Sequence, residues 1–139
     1  MNSLLRHFKT LAAAIVLLAP ALVPLQAPAS PVMVLPDCTG KLQVRPSQVI
    51  FACGDGNFFA HGLHWANWGA STTSATGTGQ FTVCTPNCAQ GKPHSAPIKV
   101  IASGRQSCAG GRPAYASVTF AWLSPVSGRP PFSMRFTCK

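Results

Sequence analysis

Five side chains in the middle of this chain are of the types that bind zinc. They are His61, His64, Cys84, Cys88 and His94. Imidazoles and thiolates are the usual zinc ligands. The segment around the first two histidines has the composition of a strand, where a spacing of three places the rings on opposite faces unless a bulge at Gly62 brings them together. Because disulfide formation outside the cell competes for both thiols, we expect no metal and no cofactor.

One short motif points to a cysteine nucleophile. Gln106-Ser-Cys108-Ala-Gly110 matches the local signature of caspases, with histidines upstream. A caspase needs alternating strands and helices and a reduced thiol, and this chain indicates neither. We interpret Cys108 as half of a disulfide.

Carboxylates are scarce. Asp37 and Asp55 are the only two acidic residues. A glycoside hydrolase usually needs two carboxyl groups across a cleft, and a serine triad needs one to orient its histidine. Asp55 already has a turn role, and the chain has no Gly-x-Ser-x-Gly motif. We expect a protein that is not an enzyme, and we assign no catalytic residue.

Positive charge dominates, with a formal net charge of +9. The basic residues are spread along the sequence, whereas nucleic-acid binders usually cluster them on one face, so we expect no nucleic-acid partner. Weak attraction to anionic envelope polymers or lipids is the functional interpretation. A solvated surface that keeps the protein soluble is the alternative.

Residues 1–29 predict a signal peptide. A basic stretch precedes the apolar run Leu11–Leu18, and Ala27-Pro28-Ala29 places small residues at positions −3 and −1 of a cleavage site. Pro20 interrupts the apolar run, which is too short to cross a bilayer. We expect a single secreted β domain over residues 30–139, extracellular or envelope-associated, without a transmembrane segment after processing.

The mature chain predicts strands and no helix. Gly54-Asp55-Gly56-Asn57 favours a hairpin, and alternation is clearest from Ala75 to Val83. Further strands are predicted over residues 41–53, 58–68, 98–103, 116–122 and 132–138. About six short strands joined by Gly/Pro turns indicate an all-β fold, a small antiparallel sandwich or barrel.

Several details of this fold can be predicted. Residues 30–36 are expected to be a flexible lead-in, and residues 88–97 a loop. The strand over residues 58–68 carries apolar groups on both faces, so we expect it to be covered on both sides. Gly77 and Gly79 are expected to leave room for the ring of Trp65 or Trp68.

The six cysteines predict three disulfides that stabilise the domain. Six cysteines allow fifteen pairings, and the sequence alone does not decide among them. The pairs that we predict are Cys38–Cys53, Cys84–Cys88 and Cys108–Cys138. Trp65, Trp68 and Trp122 could form a ligand platform, although tryptophans at strand spacing are more often core residues. The possible ligand contacts that we select are Trp65, Trp68 and His64.

Four motifs occur together between residues 44 and 101. They are Cys53-Gly-Asp-Gly-Asn57, Gly62-Leu-His-Trp-Ala-Asn-Trp-Gly69, Ala75-Thr-Gly-Thr-Gly79 and Cys84-Thr-Pro-Asn-Cys88, the last followed by Gly91-Lys92. In combination they resemble a group of small, exported, uncharacterised actinobacterial proteins. The resemblance implies export and a compact disulfide-bonded β module, and it implies no catalytic residue. The last third of the chain is less typical of the group, so the resemblance supports the Cys108–Cys138 pair least.

The functional hypothesis is a secreted non-catalytic module that binds anionic polymers or a protein partner at or near the cell envelope. Two alternatives come from other classes. One is a secreted inhibitor of a protease or other hydrolase, which would present a rigid loop near residues 84–88 or 104–113. The other is a small extracellular hydrolase, which would hold His64 or His94 beside a carboxylate.

Overall fold

The structure is a computed structural model that describes residues 31–138. The signal peptide predicted over residues 1–29 lies outside this part of the chain. The strands are β1 (Leu35–Pro36), β2 (Leu42–Gln43), β3 (Gln48–Ile50), β4 (Phe58–Ala66), β5 (Thr72–Val83), β6 (Lys92–Ser103), β7 (Gln106–Ser107), β8 (Pro113–Ala114), β9 (Ser117–Trp122) and β10 (Phe132–Arg135). Among the described residues a 3-10 turn, Ala109–Gly111, is the only helical element. The predicted all-β class is confirmed.

Six strands form one antiparallel sheet in the order β10-β9-β6-β5-β4-β3, which curls into a half-barrel. Strands β3 to β6 follow one another as hairpins, and the turn predicted at residues 54–57 closes the first of them. Two small hairpins, β1–β2 and β7–β8, complete the fold. The prediction of about six antiparallel strands in a sandwich or barrel is confirmed, with the barrel half closed.

The core lies on the concave face of the curled sheet. Alternation sends every second side chain of a strand inward, so Ala75, Gly79 and Phe81 of β5 are buried while the threonines between them lie on the outer face. The buried residues of β6 and β9 follow the same rule. They are Ile98, Val100, Ala102, Val118 and Phe120. These strands confirm the predicted period of two.

The segment before β1 is part of the core, and the prediction of a flexible lead-in is wrong. Met33, Val34 and Leu35 are buried, and Val34 has no exposed surface. The backbone of Val34 donates to Pro113 at 3.0 Å and accepts from Tyr115 at 2.9 Å. This apolar run does not alternate, so its burial depends on a partner segment far along the chain.

Strand β6 begins at Lys92, and the predicted loop over residues 88–97 is wrong beyond that point. The strand pairs with β5 along its whole length. The carbonyl of Pro97 accepts from Leu123 at 3.0 Å, so this residue presents its backbone polar groups to the β9 side. Pro93 has the same orientation by alternation. The missing N–H groups of both prolines therefore face away from β5, and the ladder between β5 and β6 stays intact.

Strand β4 is covered on one face only, and the expectation of two covered faces is wrong. A bulge between His61 and His64, with Gly62 at a φ of 63°, shifts its register. Phe58 before the bulge and Leu63 after it are both buried on the inner side. Most of the apolar residues that the sequence places on two faces thus form one inner face across a register shift, and Phe59 stays on the outer face beside His61.

Gly79 faces a tryptophan, but not one of the two expected. A Cβ atom built at Gly79 would lie 2.5 Å from the ring of Trp122. At Gly77 it would lie 2.6 Å from the carbonyl oxygen of His61. Gly79 therefore admits an aromatic ring, and Gly77 admits the backbone of the bulged strand.

All six cysteines are bonded in the predicted pairs, Cys38–Cys53, Cys84–Cys88 and Cys108–Cys138. The first and third pairs span 15 and 30 residues. In the chain-entropy model, loops of these lengths stabilise the fold by roughly 3–4 kcal/mol each. The second pair spans only 4 residues and fixes the shape of one loop.

Candidate functional site

Two residues predicted as ligand contacts, Trp65 and Trp68, are anchored to the backbone of this chain. Their rings pack edge to face with centroids 4.9 Å apart. The indole N–H of Trp65 donates to the carbonyl of Pro46 at 2.7 Å, and that of Trp68 donates to Met33 at 2.9 Å. The polar atom of each ring is thus already used by the fold.

Tyr115 completes this group, which we call the closed cluster (Trp65, Trp68 and Tyr115). Its ring lies edge to face with Trp68, with centroids 5.2 Å apart, and is fully buried. Its hydroxyl donates to Ala70 at 3.0 Å and accepts from the N–H of Gly69 at 2.9 Å. Sequence reasoning missed Tyr115 because it stands just outside a predicted strand, although it is the only tyrosine.

His64, the third predicted contact, is exposed on the outer face of β4. Its neighbour Trp65 points to the other side of the strand, because successive side chains alternate. The structure therefore does not bring His64 onto one surface with the two tryptophans.

The zinc-type side chains are dispersed. The bulge at Gly62 does place His61 and His64 on the same outer face. His94, by contrast, stacks on Phe81 with ring centroids 5.7 Å apart, and the two candidate cysteines are bonded to each other. Within residues 31–138 no group of three His, Cys, Asp or Glu side chains is placed to hold a metal ion.

Asp37 is held in a turn by its own neighbours. Its carboxylate accepts hydrogen bonds from the backbone and hydroxyl of Thr39, the backbone of Lys41 and the amide of Gln43. Burial acts to raise the pKa of Asp37, but these hydrogen bonds outweigh it and lower the pKa below its usual value. The group is therefore an ionised structural acceptor near neutral pH.

Asp55 is similarly occupied. It accepts from the backbone and side-chain N–H groups of Asn57, and the backbone bond leads in lowering the pKa of Asp55. Within the described residues no histidine forms an ion pair with either carboxylate. Cys108, the candidate nucleophile, is bonded to Cys138. The described part of the chain thus contains neither His–Asp pair nor free thiol.

Charge is segregated across the sheet. The carboxylates lie near its β3 edge, Asp37 in a cavity lined partly by β3 and Asp55 in the β3–β4 turn. We call β6, β9, β10 and the segments that join them the basic side. It holds Lys92, Lys99, Arg105, Arg112, Arg129 and Arg135, and it contains no acidic residue. The stretch of chain that builds this half of the sheet thus carries positive charge and no negative charge.

A second aromatic group, the open cluster (Phe58, Phe81, Phe120 and Trp122), lies at the opposite end of the strands. The rings of Phe81 and Trp122 meet edge to face, with centroids 5.4 Å apart. The loop of residues 123–131 covers this cluster. Arg129 in that loop lies 4.5 Å above the ring of Phe81 and donates to the carbonyl of Thr82 at 3.2 Å.

An open depression of about 260 Å³ is formed by the same loop and the end of β9, and it is lined by Trp122, Leu123, Ser124, Pro125, Val126, Arg129 and Pro131. Nε1 of Trp122 is buried and has no acceptor, alone among the buried side-chain nitrogens and oxygens of the described residues. A larger cavity, of about 290 Å³, lies between β1 and β3. Its one carboxylate is Asp37, whose hydrogen bonds are already made.

The tip of the β5–β6 hairpin is a rigid exposed loop. Every residue from 84 to 90 is exposed. The Cys84–Cys88 disulfide and hydrogen bonds between Asn87 and Gln90 hold its shape. It has the character of the loop that the inhibitor hypothesis requires.

Between residues 31 and 138 the chain has no helix with the length and apolar character needed to cross a membrane. The chain matches no protein-family model, no curated protein and no solved structure. Its function must therefore be inferred from its own residues and their arrangement.

Proposed function

We propose that this is a secreted, non-catalytic protein that binds anionic polymers of the cell envelope through its basic side. The signal-like sequence at residues 1–29 and the resemblance to exported actinobacterial proteins support export. The three disulfides fit the same location, since such bonds persist outside the reducing cytoplasm.

The segregation of charge carries the proposal. Within residues 31–138 no Lys or Arg side chain forms an ion pair with a carboxylate. Both acidic groups lie toward the β3 edge and bond to uncharged partners. The basic side is therefore not neutralised by the protein itself, and it presents a positive field to a polyanion.

The outer face of the basic side has the chemistry of a polymer-binding surface. Lys99 and Arg135 are exposed on this face, in strands separated only by β9. Around them the strands present hydroxyl groups, among them Thr119 and Ser133, which bond to each other at 2.6 Å. Cations with hydroxyls suit a polymer that carries both hydroxyl and phosphate or carboxylate groups.

Co-sedimentation with isolated cell walls across a salt series tests the proposal. Binding should weaken steeply with salt, because the Debye length falls from about 10 Å at 0.1 M to about 3 Å at 1 M. The variant Lys99→Glu/Arg135→Glu should bind at least about thirtyfold more weakly, since each cation beside an anionic surface contributes about 1 kcal/mol.

The matched control is Lys41→Glu/Arg45→Glu, which changes the net charge equally near the β3 edge, where both residues are exposed. It should keep most of the binding. Equal loss of binding in both double variants would mean that net charge alone, and not the basic side, determines binding. No binding by the wild type at low salt would contradict the proposal.

The rigid tip loop favours a second candidate, a secreted inhibitor of a protease or other hydrolase. A loop fixed before binding loses little conformational entropy when an enzyme cleft closes around it. The test is residual activity of a panel of secreted hydrolases with wild type and with Cys84→Ser/Cys88→Ser. Inhibition by the wild type alone supports the candidate, and an unaffected panel rejects it.

A further inference from the structure

We propose that the open edge of β10 binds an extended, acidic segment of a partner protein, which adds one more strand to the six-stranded sheet. The proposal goes beyond the envelope-binding function, because it concerns the backbone edge of the sheet and a protein partner. It rests on outward-facing backbone groups, on the two exposed side chains beside them, and on the way in which the other edges of the sheet are closed.

The outer edge of β10 presents backbone groups that the sheet does not pair. β10 is the last strand in the sheet order, and its partner there is β9. The N–H of Phe136 donates to Ala116 at 3.0 Å, so the backbone of Phe136 faces the β9 side. Backbone direction alternates along an antiparallel strand, so Met134 also faces β9, whereas Ser133 and Arg135 face outward. Both outward residues are exposed, and their two N–H and two C=O groups are those that strand addition uses.

The other edges of the six-stranded sheet are closed to an added strand. From Lys92 to Pro97, β6 extends past the end of β9, and on that outer side Pro93 and Pro97 have no N–H group to offer. Beside the β3 edge lies the β1–β2 hairpin, which the Cys38–Cys53 disulfide ties to the segment after β3. β10 has neither device, since it contains no proline and ends the sheet. An added strand therefore fits best at β10.

The side chains of β10 determine which strand fits. Phe132 pairs with Phe120 of β9, and its ring remains 51% exposed. Arg135 lies on the outer face of the sheet, as does Ser133. Cross-strand pairs of opposite charge and pairs of apolar groups stabilise a sheet. An antiparallel strand therefore needs an acidic residue opposite Arg135, followed in order by an apolar, a polar and an apolar residue, the last opposite Phe132.

This chain does not supply such a strand. Its only two carboxylates are those of Asp37 and Asp55. Both lie in turns, where they accept hydrogen bonds from their own neighbours. A second copy would bring an equally basic chain to the same edge, and like charges disfavour that pairing. The occupant is therefore an acidic segment of a different protein.

Titration of ¹⁵N-labelled protein with the peptide Ac-Glu-Val-Thr-Phe-NH2 tests the proposal. In the proposed register Glu lies opposite Arg135, Thr opposite Ser133 and Phe opposite Phe132. We expect the backbone amides of Ser133 and Arg135 to shift and to become protected from hydrogen exchange, with a Kd on the order of 1 mM for so short a strand. The peptide with Gln in place of Glu should bind about twofold to fivefold more weakly, because it lacks the charge opposite Arg135.

Two N-methylated peptides provide a matched comparison on the wild-type protein. Methylation of the Thr nitrogen removes the N–H that donates to Ser133, so the affinity should fall at least about tenfold. Methylation of the Val nitrogen removes an N–H that faces away from β10, so the affinity should stay within about twofold. Equal affinities of these two peptides would overturn strand addition.

Ser133→Pro removes the outward N–H of β10 without removing a hydrogen bond to β9, and it should abolish peptide binding. Ser133→Ala keeps that N–H and should bind as the wild type does. Unchanged indole N–H resonances show that each variant is folded. Neither variant changes the net charge, so wall binding should be the same in both, and its loss would concern the envelope proposal alone.

Two further results would contradict the proposal. If the Ser133 and Arg135 amides do not shift at about ten times the expected Kd, the edge is not a binding site. If the protein dimerises in sedimentation experiments and Ser133→Pro prevents it, the edge belongs to a second copy and the acidic partner is wrong.

Discussion

The closed and open aromatic clusters lie at opposite ends of one sheet and differ in what their polar atoms do. In the closed cluster, Trp65, Trp68 and Tyr115 each bond to the backbone. In the open cluster, Trp122 has no acceptor and adjoins an open depression. All three tryptophans are half-buried, so exposure does not separate them. The hydrogen-bond partner is what distinguishes a tryptophan whose polar atom is paired by the fold from one whose polar atom is buried without a partner.

The largest effect is expected in the closed cluster. Tyr115→Ala removes a fully buried ring and should lower the free energy of unfolding by about 3–5 kcal/mol, as measured by urea denaturation. Tyr115→Phe keeps the ring but leaves Gly69 and Ala70 without their hydrogen-bond partner. This variant should therefore lower the free energy of unfolding by about 1–3 kcal/mol. A neutral Tyr115→Ala would mean that this end of the core is not closed.

Gly79→Ala probes the packing of the open cluster. The new methyl group would meet the Trp122 ring and Ile98, so overpacking should lower the unfolding free energy by about 1–3 kcal/mol. The control is Gly54→Ala, because no atom lies within 4 Å of the methyl group added there. Equal midpoints for Gly79→Ala and the wild type would show that Trp122 does not rest on Gly79.

Trp68→Phe and Trp122→Phe compare the clusters directly, because both variants remove the same atoms. Trp68→Phe also leaves the carbonyl of Met33 without its hydrogen-bond donor, whereas Trp122→Phe removes a donor that has no partner. We therefore expect Trp68→Phe to be the more destabilising by about 1–3 kcal/mol. Equal losses in thermal and urea unfolding would contradict the distinction.

The smallest effect concerns acid. The folded-state pKa of Asp37 lies below its ordinary value, so its ionised form stabilises the fold above about pH 4. That contribution should disappear as the pH falls through the lowered pKa. Asp37→Asn should flatten the decline in stability below about pH 4 and leave its pH dependence unchanged near neutrality. An altered slope between about pH 6 and 8 would point to a different group.

The elements predicted correctly are those that carry their own signal. Alternation defines β5 and β9, and the Gly-Asp-Gly-Asn turn defines the β3–β4 hairpin. The missed features depend on contacts distant in sequence. Val34 is buried against Ala114 of β8, whereas Met33 and Leu35 join the main core. The register shift at Gly62 is visible only in the pairing of β4 with β5. Pro93 and Pro97 make the first half of β6 look like a loop in the sequence. The strand accommodates them because their missing N–H groups face away from β5.

The candidate site was less accessible from sequence than the fold. The sequence offers all three tryptophans as possible ligand contacts, and it does not indicate that Trp122 alone lacks an acceptor. That property depends on where the loop of residues 123–131 lies. The separation of the basic stretch from both carboxylates likewise depends on the strand order, which places β6, β9 and β10 in one half of the sheet and β3 at the other edge.

Hydrogen exchange of the three indole N–H groups in the ligand-free protein tests the difference between the two clusters most directly. A hydrogen-bonded proton exchanges only when its bond opens. We predict slow exchange at Trp65 and Trp68, approaching the rate set by global unfolding, and faster exchange at Trp122 through local opening of residues 123–131. If Trp122 exchanges as slowly as the other two, its N–H is not free, and the distinction between a closed and an open cluster is wrong.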